Sequence, residues 1–149
     1  MRYFEDFKVG ESIELGSWTV TEDEIIEFAK EFDPQPFHID KEKAKQSIYG
    51  GLIASGWHTG SMFMRRFAEN LLNETASMGS PGLEELRWLK PVRPDDILRG
   101  LFTVLEARTS NSRPGVGIIR AKSEVVNQNG EVVMHLVGTN FIGRRPTGE

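Results

Sequence analysis

Cysteine is absent from the 149-residue chain, which excludes disulfides, thiolate metal sites and cysteine nucleophiles together. The same absence suits a reducing compartment, so a cytoplasmic location is expected. No apolar run approaches the roughly 20 residues that span a bilayer, and residues 1–7 hold no apolar stretch of the signal-peptide kind. No membrane partner is therefore expected. Positive charge is not in excess: the net charge is −4 and the basic residues are scattered, which gives no footing for a nucleic-acid partner. Histidine is scarce, at positions 38, 58 and 135, with no pair at helical i, i+4 spacing, so no metal site is predicted. Neither a repeat nor a long linker divides the sequence, and its length suits one domain around one core. The polar stretch 109–115 and the C-terminal residues 144–149 read as disordered, with the domain's flexible tail placed at 143–149.

What is present is a pattern that changes period along the chain. Thr21 with Glu24 three residues on forms a capping box. Ile25, Ile26, Phe28, Ala29 and Phe32 then share one side at helical spacing. Asp33-Pro34 ends this helix, because a residue before proline avoids the α region. Residues 33–39 are therefore predicted as a loop, and Asp40 as the N-cap of a short helix over 41–46. A glycine-rich apolar stretch, Tyr49-Gly50-Gly51-Leu52-Ile53-Ala54-Ser55-Gly56, leads into a helix over 57–75. Its apolar residues lie on more than one face, so it is predicted to be buried on most sides. Strands follow at 83–89, 97–107, 116–126 and 132–142. In the third, Ile119, Ala121 and Val125 alternate with Arg120, Lys122 and Glu124. Asn127-Gln128-Asn129-Gly130 supplies a hairpin turn. A short strand, a long helix and a four-strand antiparallel meander predict an α+β domain with the sheet wrapped around the helix.

The chemistry concentrates in Asp33-Pro34-Gln35-Pro36-Phe37-His38. Two prolines stiffen a loop that carries a carboxylate and an imidazole. Such a pair sharing one water can remove one proton and deliver another, as hydration of a double bond requires. A thioester carbonyl becomes enolate-like as water attacks C3, and a backbone N–H at a helix start stabilises that oxygen. Gly56, at the start of the long helix, can offer such an N–H without a side chain in the way.

These residues resemble those of a known family. Asp33-Pro34-Gln35-Pro36-Phe37-His38 looks like the D-x-N-P-x-H motif of the MaoC-like dehydratases and (R)-specific enoyl-CoA hydratases. Ile53-Ala54-Ser55-Gly56 resembles their I-A-H-G segment. The run from Leu86 through Lys90-Pro91-Val92-Arg93-Pro94-Asp95-Asp96 is similar to their F-x-x-P-V-x-P-G-D strand. The resemblance covers about residues 4–142. It implies a hotdog fold, a homodimer or oligomer of dimers, an acyl-CoA or acyl-carrier thioester as substrate, and no cofactor. It also implies Asp33 and His38 as the catalytic pair and Gly56 in the oxyanion hole. Gln35 stands where the family has Asn, and Ser55 where it commonly has His. Neither departure touches the pair, so activity as an enoyl-CoA hydratase or 3-hydroxyacyl-CoA dehydratase is the expectation.

Each residue also has a plainer reading. Asp33 alone reads as a helix terminator, His38 as a loop histidine and Gly56 as a packing glycine at a helix start. Ser55, Trp57 and Ser61 are expected to contact substrate, although Ser61 could equally bond back to its own helix, and Trp57, Met62 and Phe63 could belong to the core. His58 and His135 read as structural. Lys90, Arg93, Arg113 and Arg120 are candidates for the phosphates of coenzyme A. Two other functions compete with hydration: a non-catalytic acyl-thioester-binding subunit, motivated by Gln35 and Ser55, and an acyl-CoA thioesterase.

Overall fold

The computed structural model describes residues 1–147. The elements in chain order are β1 (Ser12–Thr19), α1 (Glu22–Phe32), α2 (Pro36–Ile39), α3 (Lys41–Lys45), α4 (Gly56–Asn70), β2 (Gly82–Trp88), β3 (Ile97–Thr109), β4 (Val116–Val126) and β5 (Val132–Gly143). Short 3₁₀ turns at Phe4–Asp6 and Leu72–Glu74 precede β1 and follow α4. α1 begins where the sequence predicts. Thr21 is extended and its hydroxyl accepts the Glu24 N–H at 3.2 Å. Three acidic residues, Glu22, Asp23 and Glu24, fill the first turn, where the helix dipole favours negative charge. α1 stops at Asp33, whose backbone (φ −154°, ψ 69°) is not helical. The stretch after it is not the continuous loop expected: Pro36–Ile39 makes one helical turn. Pro36 sits at its first positions, where proline's fixed φ is helical and its missing N–H has no partner to lose. Asp40 then caps α3, accepting the N–H groups of Glu42 and Lys43 at 3.0 and 3.1 Å.

The sheet is antiparallel with strand order β1-β3-β4-β5-β2. β3, β4 and β5 form the meander, but β2 does not lead into it. It crosses to the far edge and pairs with β5, so Trp88 lies opposite Met134. α4 crosses the concave face, which is the hotdog arrangement. Its C-terminal end is pinned where Asn70 Nδ2 donates to the Leu15 carbonyl at 2.6 Å, beside the irregularity in β1. Phe67 turns inward onto Phe102 and Phe63 stacks on Phe67, and each of the two contributes about 1.5–3 kcal/mol by leaving water. Gly100 lets the layers close, since a Cβ there would lie 3.3 Å from Leu15 Cβ and 3.5 Å from Phe63.

Two expectations about α4 change. It spans Gly56–Asn70, so its first turn begins one residue earlier and its last ends five residues sooner than predicted. It is also buried on one side only: Trp57 and Met64 are 60% and 46% exposed. Apolar residues on several faces therefore mark one face for the core and one left open. Of the segments read as disordered, 109–115 is a tight connection, with Ser110 N–H donating to the Val116 carbonyl and Val116 N–H to that of Arg113. Gly143 belongs to β5, and the Arg145 guanidinium donates to Asp6 at 2.6 Å, so 143–145 are held rather than free. Gly148 and Glu149 lie outside the described residues. Asp95, where the family strand has glycine, carries a left-handed φ of 71°, which aspartate tolerates better than most side chains.

His58 shows how burial couples this fold to pH. It stacks on Phe28 of α1, ring centroids 4.7 Å apart, and its Nδ1 is buried without a hydrogen-bond partner. Burial pushes the His58 imidazole below its ordinary value, against a weaker upward pull from Glu24. The unfolded chain therefore binds a proton that the folded chain refuses. Stability from this group is complete above the unfolded value of about 6.5 and falls as pH drops below it. The melting temperature of the wild type is expected to fall more steeply between pH 7 and pH 5 than that of His58→Phe; parallel curves would show that His58 contributes nothing to this dependence.

Candidate active site

The site is assembled by three backbone pins. Ile53 N–H donates to the Phe37 carbonyl at 3.2 Å and Ala54 N–H to the Val92 carbonyl at 2.8 Å. The glycine-rich stretch is thereby clamped between α2 and the segment after β2. Ser55 and Gly56 are set beside Asp33 as a result. The third pin is His38 itself, which is buried and whose Nδ1 lies 2.7 Å from the Ile53 carbonyl. A carbonyl only accepts, so Nδ1 carries the proton of that bond. The other ring nitrogen, Nε2, lies 3.3 Å from Asp33 Oδ2. A proton on Nε2 would therefore face the carboxylate.

Asp33 is held on both oxygens. Gln35 Nε2 donates to Oδ1 at 2.7 Å, and the Ser55 hydroxyl donates to Oδ2 at 2.7 Å. Burial pushes the carboxyl up, but the bonds from Gln35 and Ser55 and the charge on His38 together outweigh it and hold the group below the ordinary carboxylate range. Of about four acceptor sites on a carboxylate, these two bonds take two, which leaves room for a water. Asp33, His38 and Gly56 line a single cavity of about 450 Å³, together with Tyr49, Thr59, Trp88 and Lys90. Gly56 is the first residue of α4, where an N–H has no intrahelical acceptor. A Cβ on Gly56 would overlap the Trp88 indole, coming within 2.6 Å of its Cδ2. The glycine therefore serves packing whatever else it does.

The remaining residues divide. Trp57 lines the cavity, with its indole edge-on to that of Trp88, centroids 5.1 Å apart. Ser55 is placed differently from expectation: it has no exposed surface, and its hydroxyl is committed to Asp33. Ser61 donates to the Trp57 carbonyl four residues back at 2.7 Å and lines a separate, apolar cavity. Phe63 belongs to the core, and Met62 packs against it. Of the four candidate cations, Lys90 lines the cavity and pairs with Glu131, and Arg93 donates to the Tyr49 carbonyl at 2.6 Å beside it. Arg120 is engaged by Glu84 at 2.7 Å, and Arg113 lies in the turn between β3 and β4. His135 faces Glu85 at 3.3 Å, away from the cavity. Sequence reasoning missed Trp88, whose contact with Gly56 spans 32 positions, and it read Gln35 and Ser55 as departures rather than as the donors that fix Asp33. Their side chains, each with a proton to give near a carboxylate, were the available signal.

An antiparallel sheet wrapped around one long helix defines a hotdog domain, and the Asp33–His38 pair lies beside the start of that helix. The chain belongs to the MaoC-like dehydratase family: residues 6–127 match the MaoC like domain. The crystal structure of the MaoC-like dehydratase from Rhodospirillum rubrum is similar, with 40% sequence identity and a TM-score of 0.87 over 97% of this chain and 99% of that one. The uncharacterised protein YdeM of Bacillus subtilis (strain 168) is 31% identical over 112 residues, 75% of this chain and 79% of that protein. Mesaconyl-CoA hydratase of Cereibacter sphaeroides is 37% identical over 76 residues, 51% of this chain and 21% of that protein. The chain thus matches only about a fifth of that hydratase's length. Among the described residues no helix is long and apolar enough to cross a membrane.

Proposed function

We propose that this protein is a hydro-lyase that adds water to a 2-enoyl thioester, carried by coenzyme A or an acyl-carrier protein, to give the 3-hydroxyacyl thioester. The observation that carries the reading is the Asp33–His38 pair, 3.3 Å apart, in one cavity with the first residue of α4. The family and the likeness to part of a mesaconyl-CoA hydratase support it. Water held at the Asp33 carboxylate gives up a proton to it as its oxygen attacks C3. The thioester oxygen takes up negative charge and is met by the Gly56 N–H. His38 delivers the proton on Nε2 to C2. Return of the proton from Asp33 to Nε2 restores the pair, so one water is added and nothing else is consumed. The reverse sequence dehydrates. The active unit is a homodimer or an oligomer of dimers, consistent with the open face of α4.

Gln35 and Ser55, the grounds for a non-catalytic subunit, instead each donate to Asp33, which favours the catalytic reading. The proposal is tested by adding purified protein to crotonyl-CoA and following the ultraviolet absorbance of the conjugated enoyl thioester. Loss of absorbance with no free thiol supports it; release of thiol would point to hydrolysis instead. A pH profile probes the roles of the donors. Ser55→Ala removes a bond that holds Asp33 down and leaves burial, which pushes it up. The acid limb of kcat/KM is expected to move to higher pH in this variant, read as an apparent value of the coupled pair. An acid limb that stays in place would take Ser55 out of this role.

A further inference from the structure

The cavity of the Asp33–His38 pair has a polar group on its buried side that the reaction above leaves unused. Thr59, three residues after Gly56 on α4, lines that cavity and is 2% exposed. A hydroxyl inside a helix commonly bonds back to the carbonyl four residues earlier. Those of Ser61 and Thr75 do so, each at 2.7 Å. For Thr59 that carbonyl belongs to Ser55, and the N–H groups of His58 and Thr59 already occupy it at 3.0 and 3.1 Å. Among the described residues the Thr59 hydroxyl has no hydrogen-bond partner, yet it is not sealed in as His58 Nδ1 is. Its free surface therefore opens onto the cavity. Native folds rarely keep a buried hydroxyl idle, so a molecule in the cavity is the partner to look for.

We propose that the Thr59 hydroxyl is a second donor to the thioester oxygen, beside the Gly56 N–H. The assignment rests on the thioester reading given above and adds a catalytic residue to it. Helix side chains lean toward the N-terminus, and positions three apart share a face. The Thr59 hydroxyl thus reaches back over the turn that Gly56 opens, and Gly56 has no side chain to stand between them. A carbonyl oxygen has two lone pairs, and one N–H meets only one of them. As water attacks C3 the oxygen gains charge, so a second donor there binds the transition state more tightly than the substrate. Asp33 has no comparable need, since Gln35 and Ser55 already donate to it. Thr59 lies on the buried face of α4, so a second copy seated on the open face leaves it in place.

The test uses two variants of the full chain. Thr59→Val keeps the shape of the side chain without the hydroxyl, and Thr59→Ser keeps the hydroxyl. Thr59→Val is expected to melt no lower than the wild type, because it removes a buried hydroxyl with no partner in the fold. A marked drop would reveal a structural bond and overturn the assignment. With crotonyl-CoA, Thr59→Val is expected to lower kcat by about 10²-fold with little change in KM, the low end of what losing one such donor costs. Thr59→Ser is expected to recover most of that loss. The second readout is the infrared carbonyl band of bound butyryl-CoA, which is saturated and needs no turnover, with a heavy-carbon label at its thioester carbon. The band is expected at lower frequency in the wild type and Thr59→Ser than in Thr59→Val. A residue that only packs would leave it unmoved. An unmoved band overturns the assignment, whatever happens to kcat. If the band depends on the hydroxyl but no enoyl-CoA is hydrated, the assignment stands and the hydratase reading falls. If hydration occurs with kcat and band unmoved in Thr59→Val, the assignment alone falls. If butyryl-CoA does not bind, the assignment falls with the thioester reading on which it rests.

Discussion

Asp33→Asn and His38→Gln are each expected to lower kcat for enoyl-CoA hydration by roughly 10²–10⁴-fold, the range that a positioned acid or base contributes. Asn keeps the size of Asp33 but has one amide oxygen and cannot take a proton from water. Its amide must also face either the Gln35 amide or the Ser55 hydroxyl, both of which now donate at 2.7 Å. Gln in place of His38 has no imidazole to carry the proton that the proposed reaction delivers to C2. If the two residues act in one exchange of protons, as proposed, the two losses should not add: the double variant is expected to be close to the worse single one. Full additivity would mean that the residues act in separate steps. Melting temperatures separate chemistry from folding. Asp33 lies at a helix end and is partly exposed, so Asp33→Asn should melt close to the wild type. His38→Gln must replace a buried bond to the Ile53 carbonyl and should lose about 1–3 kcal/mol.

Gly56→Ala carries the second large effect, and it has two separable causes. The added methyl would overlap the Trp88 indole, an overpacking that typically costs about 1–3 kcal/mol. It would also stand beside the N–H proposed to meet the thioester oxygen, and losing one such donor costs roughly 10²–10³ in kcat. Pairing it with Trp88→Ala distinguishes them. The double variant removes the clash, so its melting temperature is expected to recover relative to Gly56→Ala alone. Its hydration of the four-carbon substrate is expected to stay low, because the methyl still crowds the N–H. Recovery of activity together with stability would make Gly56 a packing residue only.

Much of this arrangement was legible because local signals agree with the fold. Thr21 and Asp40 mark helix starts through hydrogen bonds that span three residues or fewer, Asp33-Pro34 marks a helix end through the steric demand of proline, and all three stand where predicted. The alternation of Ile119, Ala121 and Val125 with Arg120, Lys122 and Glu124 carries the inner and outer faces of β4. The turn Pro36–Ile39 was not legible, since proline signals both an interrupted helix and a started one. The place of β2 was hidden for a different reason. Its pairing with β5 joins residues about fifty apart, and no local pattern reports a partner at that distance. The open side of α4 was misread because an apolar residue looks the same whether it faces a core or a cavity. At the site, Asp33, His38 and Gly56 were singled out by their types and spacing, and they line one cavity. Ser55 was found for the wrong contact, since its rotation toward Asp33 depends on the clamp between Phe37 and Val92.

The most direct test of the central claim is the origin of the oxygen in the product. Wild-type protein is incubated with crotonyl-CoA in heavy-oxygen water, and the thioester product is weighed by mass spectrometry. Hydration at the Asp33–His38 pair predicts a 3-hydroxybutyryl-CoA carrying one labelled oxygen, formed by the wild type and nearly absent with Asp33→Asn. The same labelled product at equal rate from Asp33→Asn, or free crotonate with released coenzyme A in its place, would contradict it.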